Sequence, residues 1–318
     1  MSQLSALSPT NAAARMPRGA DVAVLSSRQV LRGLNAGTAV PLVYWKNRSI
    51  VHGVLRAAAE KQAAVGLGVR VRVGEEYSPR MAGAFNAFFA QAVAACGDAG
   101  YGGPLFVRVE LPYFGAPGDA ELDAARRAVF AAYDAGFTSF SLKLPADTPT
   151  VQQLPAVLAE PLQLELGVEI RHRVAGIDPA VIGRILALLR DIGMSPDVLR
   201  PLDGPQVPAS FTGGAAIGEE YERLEERGPE RRVRVVTMDS MIAGVLRSVL
   251  DDDTRERLRA HQERARTGLE EAYEHGRATG EVPAQTDERL EARVYAEFAD
   301  ALGRMGAAGT ARRVEKPA

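Results

Sequence analysis

Residues 104–113 read PLFVRVELPY, an apolar run that predicts a β-strand ending in a charge and a proline. Within it, valines alternate with Arg108 and Glu110, as they do along a strand whose two sides face different surroundings. Pro112 is expected to end the strand, because proline has no backbone N–H to donate. Glu110 thus lies at the carboxyl end of the strand, the end that carries the ligand-binding loops when parallel strands form a barrel.

Strand-like and helix-like segments alternate through most of the chain. Apolar, β-branched runs predict strands at 40–45, 67–73, 104–110, 137–144, 162–170, 197–202, 208–213 and 233–238. Apolar residues at three-to-four spacing predict helices at 48–64, 78–97, 119–135, 149–159, 178–192 and 217–227. This repetition predicts an α/β protein with a TIM-type (β/α)8 barrel, and a doubly wound open sheet is the competing architecture.

One connection does not fit a regular barrel. Only five residues separate the predicted strands 197–202 and 208–213, whereas a crossover between parallel strands needs a dozen or more. Either one of the two segments is not a strand, or the barrel is locally reduced around its sixth and seventh strands. The sequence leaves both interpretations open.

The barrel is expected to span residues 21–250, with further segments at both ends of the chain. Residues 1–20 are small, polar and interrupted by proline, which predicts a flexible N-terminal tail. Residues 251–310 are expected to form a C-terminal helical extension, and residues 311–318 a second tail.

The C-terminal extension contains two charged helices, predicted at 253–278 and 286–304. Their apolar residues recur on one side: Leu258, Leu269, Tyr273, Leu290, Val294, Phe298 and Leu302. A stripe of this kind either packs on the barrel or forms a homo-oligomer contact, since both arrangements bury it.

Composition limits the classes of function. The 318 residues are 46% hydrophobic and 25% charged, as in an ordinary globular enzyme, and the net charge of −2 gives no reason to expect nucleic acid as a partner. One cysteine, Cys96, excludes an internal disulfide and a cysteine-built zinc site. No run approaches the roughly 20 apolar residues of a membrane span, and the N-terminus lacks a signal-peptide pattern. We therefore expect a cytoplasmic protein that binds no membrane.

Six short motifs follow one another in the order found in one enzyme family. They are PLVYWKN (41–47), GFTSFSLKL (136–144), LELG (164–167), TGGAA (212–216), VVTMDS (235–240) and RMGAAGTAR (304–312). From about Ser26 onward, the chain resembles the zinc-dependent class II ketose-bisphosphate aldolases, which act on fructose and tagatose bisphosphates. The resemblance implies a barrel fold, lyase chemistry in carbohydrate metabolism, and a phosphorylated sugar or triose as ligand.

The resemblance also implies a zinc site, but this chain lacks its ligands. In the family, three histidines at strand ends hold a metal that polarises a carbonyl group, and an aspartate moves the proton. By the resemblance, Glu110 occupies the position of that aspartate, and Leu111 stands where a histidine ligand follows it. The other two ligand positions fall in the segment Asp203-Gly204-Pro205 and at Thr212. We therefore expect a divergent homologue that holds neither zinc nor another cofactor.

The remaining histidines do not restore this site. His52 lies in a helical pattern, and His261 and His275 lie in the charged C-terminal extension, so packing or surface roles are expected for these three. His172, after the fifth predicted strand, is the histidine that the pattern places at the barrel mouth. A catalytic zinc site usually needs three protein ligands, and a single imidazole does not supply them.

Polar residues nevertheless follow several predicted strands, and Glu110 and Lys143 are the candidate catalytic pair. In one interpretation they form an ion pair that fills the space left by metal and substrate. In the other, Lys143 forms a Schiff base with a carbonyl compound and Glu110 transfers protons, which gives a metal-independent lyase acting on a phosphorylated ketose. A neighbouring carboxylate keeps a lysine cationic, which favours the ion pair. Arg72, in the second predicted strand, is also expected at this end of the barrel.

A second group of residues predicts a site for substrate and phosphate. A glycine pair precedes a predicted helix, whose first N–H groups favour an anion. By the resemblance, the acid after strand eight contacts substrate hydroxyl groups. The predicted binding residues are Asn47, Gly213, Gly214, Ala215, Asp239 and Ser240. The leading hypothesis is a sugar-phosphate-binding pseudoenzyme with a non-catalytic or regulatory role, and the lysine-dependent lyase is the alternative.

Overall fold

The computed structural model describes residues 5–34, 38–71, 81–113, 119–145, 166–173, 198–201 and 234–314. Its centre is a sheet of seven parallel strands in the spatial order β6-β5-β4-β3-β2-β1-β7. The strands are β1 (Ala39–Val43), β2 (Val65–Arg70), β3 (Leu105–Tyr113), β4 (Ser139–Pro145), β5 (Gly167–Arg173), β6 (Val198–Pro201) and β7 (Arg234–Thr237). They correspond to seven of the predicted strands, and the other one, 208–213, lies outside the described residues.

The two faces of the sheet bury different sets of side chains. Val107 and Val109 belong to a large apolar cluster that includes residues of the surrounding helices. Phe106 instead belongs to a second cluster, together with Leu42 and Val235 from other strands. Because successive side chains of a strand point to opposite faces, these clusters define an outer and an inner face. The sheet curls around its inner face as a half-barrel, consistent with a TIM-like fold, and the closed barrel of eight strands stays a prediction.

β3 extends beyond the end that the sequence predicts for it. Pro112 is expected to stop the strand, but β3 continues to Tyr113, with a register shift between Leu111 and Tyr113. Proline is tolerated at irregular positions of a sheet, because such positions do not need its missing N–H. The prediction of a strand end at Pro112 is therefore wrong, although Glu110 still lies near the carboxyl end.

Helices connect the strands, and further helices precede β1 and follow β7 in the sequence. They are α1 (Thr10–Arg15), α2 (Ser27–Arg32), α3 (Arg48–Lys61), α4 (Met81–Asp98), α5 (Asp119–Asp134), α6 (Asp239–Val249), α7 (Asp252–Ala265), α8 (Leu269–Thr279), α9 (Thr286–Arg304) and α10 (Thr310–Val314). The helices predicted at 149–159, 178–192 and 217–227 lie outside the described residues. Within the described ranges, no helix is both long enough and apolar enough to cross a bilayer.

Helix α2 closes the inner face at the amino ends of the strands. The Leu25 N–H donates to the carbonyl oxygen of Leu105, the first residue of β3. The Ser27 and Ser139 hydroxyl groups lie 2.9 Å apart, and Ser139 begins β4. Residues of α2 share the inner cluster with Val314 of α10. Segments that precede and segments that follow the sheet in the sequence therefore both fill this end.

The apolar stripe of the C-terminal helices packs inside the fold. α9 lies along α3 and also contacts α6, and its residues Val294 and Phe298 are fully buried. At the contact with α3, Gly53 allows two backbones to approach, because a Cβ atom there would lie 2.7 Å from the Glu291 carbonyl oxygen. Packing on the barrel thus accounts for the stripe, and a homo-oligomer contact stays a prediction.

The structure differs from the sequence prediction in the two end segments. Part of the stretch 1–20, expected to be a loose tail, forms α1, where the Asn11 amide donates to the carbonyl oxygens of Tyr133 and Phe137. The single helix predicted at 253–278 is divided into α7 and α8, because Arg266 ends α7 with a left-handed φ of 52°. Residues Ala311 and Val314, expected in a C-terminal tail, are buried in α10.

Cys96 should be chemically inert in the folded protein. It is buried in α4, and burial raises the pKa of its thiol to about 12. Since the thiolate is the reactive form, we expect negligible reaction with a disulfide reagent at pH 8 under native conditions and one thiol per chain in guanidinium chloride. Native reaction at the rate seen in denaturant would contradict this burial.

Candidate functional site

Four polar or aromatic side chains meet at the carboxyl ends of neighbouring strands. Arg70 ends β2, and its register partner Glu110 lies in β3. Tyr44 directly follows β1, and Asp239 begins α6 just after β7. Because the strands are parallel and β1 lies between β2 and β7, their carboxyl ends bring these residues together.

Arg70 is the centre of this group. Its Nε atom lies 3.4 Å from Glu110 Oε1, and its Nη2 atom lies 2.5 Å from Asp239 Oδ2. The guanidinium carbon is 4.0 Å from the centre of the Tyr44 ring, a cation–π contact. Burial lowers the pKa of the Arg70 guanidinium, but the charges of Asp239 and Glu110 outweigh this effect and hold the pKa above its usual value. Arg70 is therefore a permanent cation whose direction is fixed on three sides.

The two carboxylates around Arg70 have different exposure and different support. The Glu110 side chain is 2% exposed, whereas that of Asp239 is 20% exposed. Asp239 Oδ1 accepts a hydrogen bond of 3.1 Å from the Tyr44 N–H. Asp239 also lies in the first turn of α6, where the helix dipole favours a negative charge. Both predicted site carboxylates thus lie at the mouth, joined through an arginine.

A second polar layer lies deeper on the inner face. Arg108 is 1% exposed, and its Nε atom donates to the Ser139 hydroxyl over 2.9 Å. Ser141, the register partner of Glu110 in β4, is fully buried, and its hydroxyl has no hydrogen-bond partner within the described part of the chain. Polar side chains of β3 and β4 therefore extend from the mouth toward the amino end of β4, beside the apolar side chains of the inner cluster.

Asn47 lies at the same end of the sheet, where its polar groups make hydrogen bonds with other residues of the protein. Its side-chain oxygen accepts the Ile50 N–H over 3.0 Å and so caps α3. Its side-chain amide donates to Glu274 of α8, and its backbone N–H donates to Glu270 over 2.8 Å. Asn47 is 3% exposed, so its observed role is the start of a helix, and its predicted role in substrate binding stays a prediction.

The other predicted site residues are described only in part. Ser240 is exposed in the first turn of α6. The backbone of Lys143 pairs in register with Tyr113 and Arg171, but its side chain lies outside the described atoms. The glycine loop, Gly213-Gly214-Ala215, lies outside the described residues, so phosphate binding there stays a prediction.

The described residues do not assemble the three-histidine site that the resemblance implies. Leu111 is 1% exposed and packs in the outer cluster, on the face opposite to Glu110. His52 contacts Glu291 of α9 at 2.9 Å, and the rings of His261 and His275 stack on each other in the C-terminal helices. Across the described ranges, no three or more His, Cys, Asp and Glu residues form a group that could hold a metal ion. Two of the ligand positions lie outside these ranges, so the absence of zinc stays a prediction.

Sequence reasoning missed the arginine that organises the site. The predicted second strand, 67–73, points to Arg72, whereas β2 ends at Arg70. Arg72 lies outside the described residues. The sequence shows that Arg70 alternates with apolar residues. It does not show the partners of Arg70, because Tyr44 and Asp239 are far from it along the chain.

Comparisons with known proteins bear on the fold. No family model and no curated protein matches the sequence. Among solved structures, the YdjI aldolase from Escherichia coli K12 superposes with a TM-score of 0.52 over 91% of this chain and 99% of its own length, at 11% identity. Fructose-bisphosphate aldolase from Campylobacter jejuni has a TM-score of 0.52 over 90% of this chain and 95% of its own, at 12% identity. The chain therefore shares the fold of these aldolases.

Proposed function

We propose that this protein binds a small phosphorylated sugar or triose at the mouth of its half-barrel and performs no zinc-dependent aldol cleavage. The observation that carries the proposal is the position of Arg70. Its side chain is 47% exposed, although Glu110, Asp239 and Tyr44 fix it from three sides. A preoriented and accessible guanidinium is a suitable partner for a phosphate group, because its planar N–H donors match two oxygens of the anion.

The charges of the site are compatible with a polyhydroxylated anion. The cations Arg70 and Arg108 balance the carboxylates of Glu110 and Asp239, so the described site is neutral before a ligand binds. Carboxylates accept hydrogen bonds from sugar hydroxyl groups, and the arginine donates to phosphate. Ser240 and the glycine loop, Gly213-Gly214-Ala215, would add donors at helix starts in this proposal. A phosphorylated sugar uses both kinds of group.

The side chains at the mouth support the binding of a phosphorylated ligand more than they support catalysis by a bound metal. Glu110 faces the mouth, but the next residue, Leu111, is buried on the opposite face and offers no ligand atom. The protein's own guanidinium contacts both carboxylates there. The likeness to aldolase structures supports the fold, and the fold supports a site at the strand ends. A non-catalytic or regulatory role fits these features best.

Replacement of Arg70 by methionine should weaken ligand binding. Loss of charged hydrogen bonds worth about 2 kcal/mol corresponds to a roughly 30-fold increase in Kd. Titration calorimetry with fructose 1,6-bisphosphate, dihydroxyacetone phosphate and inorganic phosphate measures this change. The matched control is Arg293→Met, which removes an exposed arginine of α9 paired with Glu297.

Two outcomes would overturn the proposal. If none of the three anions binds the wild-type protein, or if Arg70→Met binds them as tightly as Arg293→Met does, the mouth is not the site. Aldol cleavage that is abolished by a chelator and restored by zinc would contradict the proposed lack of metal-dependent activity.

The lysine-dependent lyase remains a second candidate because of the strand register. Ser141 pairs with Glu110, and Lys143 follows two residues later in β4. Borohydride reduction in the presence of a ketose phosphate should then trap an adduct in wild type and none in Lys143→Met. Unchanged cleavage of the same compound by Lys143→Met would exclude this mechanism.

A further inference from the structure

Helix α8 reaches the turn between β1 and α3 through two carboxylates. Glu270 Oε1 accepts hydrogen bonds from the backbone N–H groups of Lys46 and Asn47, the latter over 2.8 Å. Glu274 accepts a hydrogen bond from the Asn47 side-chain amide. The chain segment 44–47 is thus held by a helix that comes more than two hundred residues later.

The contacts of Asn47 leave little freedom to this turn. Its side-chain oxygen caps α3 at Ile50, so both ends of its amide group are engaged. Its backbone N–H is engaged by Glu270. A buried amide with every polar atom paired has one favourable orientation, because any rotation leaves a donor or acceptor without a partner.

The same turn also carries part of the mouth. Tyr44 donates its N–H to Asp239, and its ring contacts the Arg70 guanidinium. Between Tyr44 and the residues held by α8 lies only Trp45, which is 7% exposed. A single residue therefore separates Lys46, which α8 contacts, from Tyr44, which contacts the central arginine.

Glu270 is half-buried, and its carboxylate accepts two backbone hydrogen bonds from the turn. Burial raises the pKa of its carboxyl above the usual value, although the N–H groups of Lys46 and Asn47 act in the opposite direction. The charged groups that affect it are the Lys46 ammonium from the turn and the Glu274 carboxylate from α8. A neutral side chain of the same shape could keep the two backbone hydrogen bonds without this burial of charge.

We propose that α8 is a positioning clamp, in which Glu270 fixes the turn 44–47 and so sets the conformation of Tyr44 at the mouth. In this arrangement the C-terminal helices are part of the functional structure as well as a cover for the outer face. The clamp is independent of the proposed ligand, because its contacts are made within the chain.

Glu270→Leu and Glu270→Gln separate a clamp from a general structural role. A cavity of about 820 Å³, lined in part by Val51, Phe88, Ala92 and Glu270, adjoins the contact, so leucine has space. Leucine removes the acceptor, whereas glutamine keeps a carbonyl oxygen. The matched control is Glu263→Leu, which makes the same change at an exposed position of α7.

Hydrogen exchange and fluorescence report the outcome without any ligand. In Glu270→Leu, the amides of Lys46 and Asn47 should exchange about tenfold faster or more, whereas the Val107 amide in β3 keeps its protection. Trp45, the single tryptophan, should show a red-shifted emission. Glu270→Gln and Glu263→Leu should resemble wild type, and Glu270→Ala serves as the test if the leucine variant does not fold.

The proposal fails if the Lys46 and Asn47 amides exchange at the wild-type rate in Glu270→Leu. It also fails if Val107 loses protection to the same extent, because the effect is then a general loss of stability. Since neither readout needs a sugar phosphate, these results are distinct from those that test the proposed function.

Discussion

Replacement of Gly53 by alanine should lower the free energy of unfolding by about 2 kcal/mol, as expected for overpacking at a close backbone contact. The new Cβ atom would lie 2.7 Å from the Glu291 carbonyl oxygen and 3.2 Å from the Tyr295 nitrogen, both of which belong to the α9 backbone. A side chain could rotate away, but a helix backbone must shift as a whole. The loss should therefore exceed the roughly 1 kcal/mol that alanine normally gains over glycine inside a helix.

Gly244→Ala is the matched control for this prediction. Gly244 lies in α6, is exposed, and has nothing within 4 Å of the position that a Cβ atom would occupy. Alanine there should raise the free energy of unfolding by up to about 1 kcal/mol, because only helix propensity changes. Urea denaturation of both variants gives the comparison. A stabilised Gly53→Ala protein would show that α3 and α9 do not approach as closely as described.

A second large effect is expected inside the half-barrel, at Gly66. An alanine Cβ atom there would lie 2.2 Å from the Phe106 ring, which is fully buried in the inner cluster. Gly66→Ala alone should destabilise by about 3 kcal/mol, because the ring has little space to move. In contrast to Gly53, the clashing group is a side chain, so a second substitution can remove it.

The double variant Gly66→Ala with Phe106→Leu tests this explanation. Phe106→Leu by itself should cost about 1 to 2 kcal/mol through a smaller buried surface and a residual cavity. Because leucine removes the clash, the two changes together should cost less than their sum by at least about 1 kcal/mol. Additive effects in urea denaturation would mean that the ring does not occupy the space above Gly66.

The architecture could be predicted because it depends on local patterns. The runs that became β1, β3, β4 and β7 are apolar, β-branched and bounded by turn residues, and periodic apolar residues marked α3 and α9. α9 begins and ends at the predicted residues 286 and 304. The break between α7 and α8 was missed because Arg266, which adopts the left-handed conformation there, carries no sequence signal for it.

The site could be predicted only in part, because its central contact is tertiary. Glu110 and Asp239 were identified from their places at strand ends, and both lie at the mouth. Arg70 was not, since its role depends on contacts with Glu110 in β3, with Asp239 in α6 and with the Tyr44 ring, all of which lie far from it in the sequence. For Asn47, the sequence predicts a ligand contact, whereas the structure shows its side-chain oxygen capping α3 at the Ile50 N–H and its amide donating to Glu274 of the distant helix α8.

The packing of α3 on α9 has a consequence for the rate at which this protein folds. β1 pairs with β7, and the helix after β1 packs on a helix near the other end of the described chain. These contacts close long loops, and their entropic cost precedes any gain from packing. During folding, β1 should therefore have an unpaired edge for an appreciable time, and α3 should lack the cover that α9 gives it. Chains in this state associate with one another. Refolding yield should accordingly fall as protein concentration rises, even though large apolar side chains in the described ranges are, apart from Leu7, not exposed.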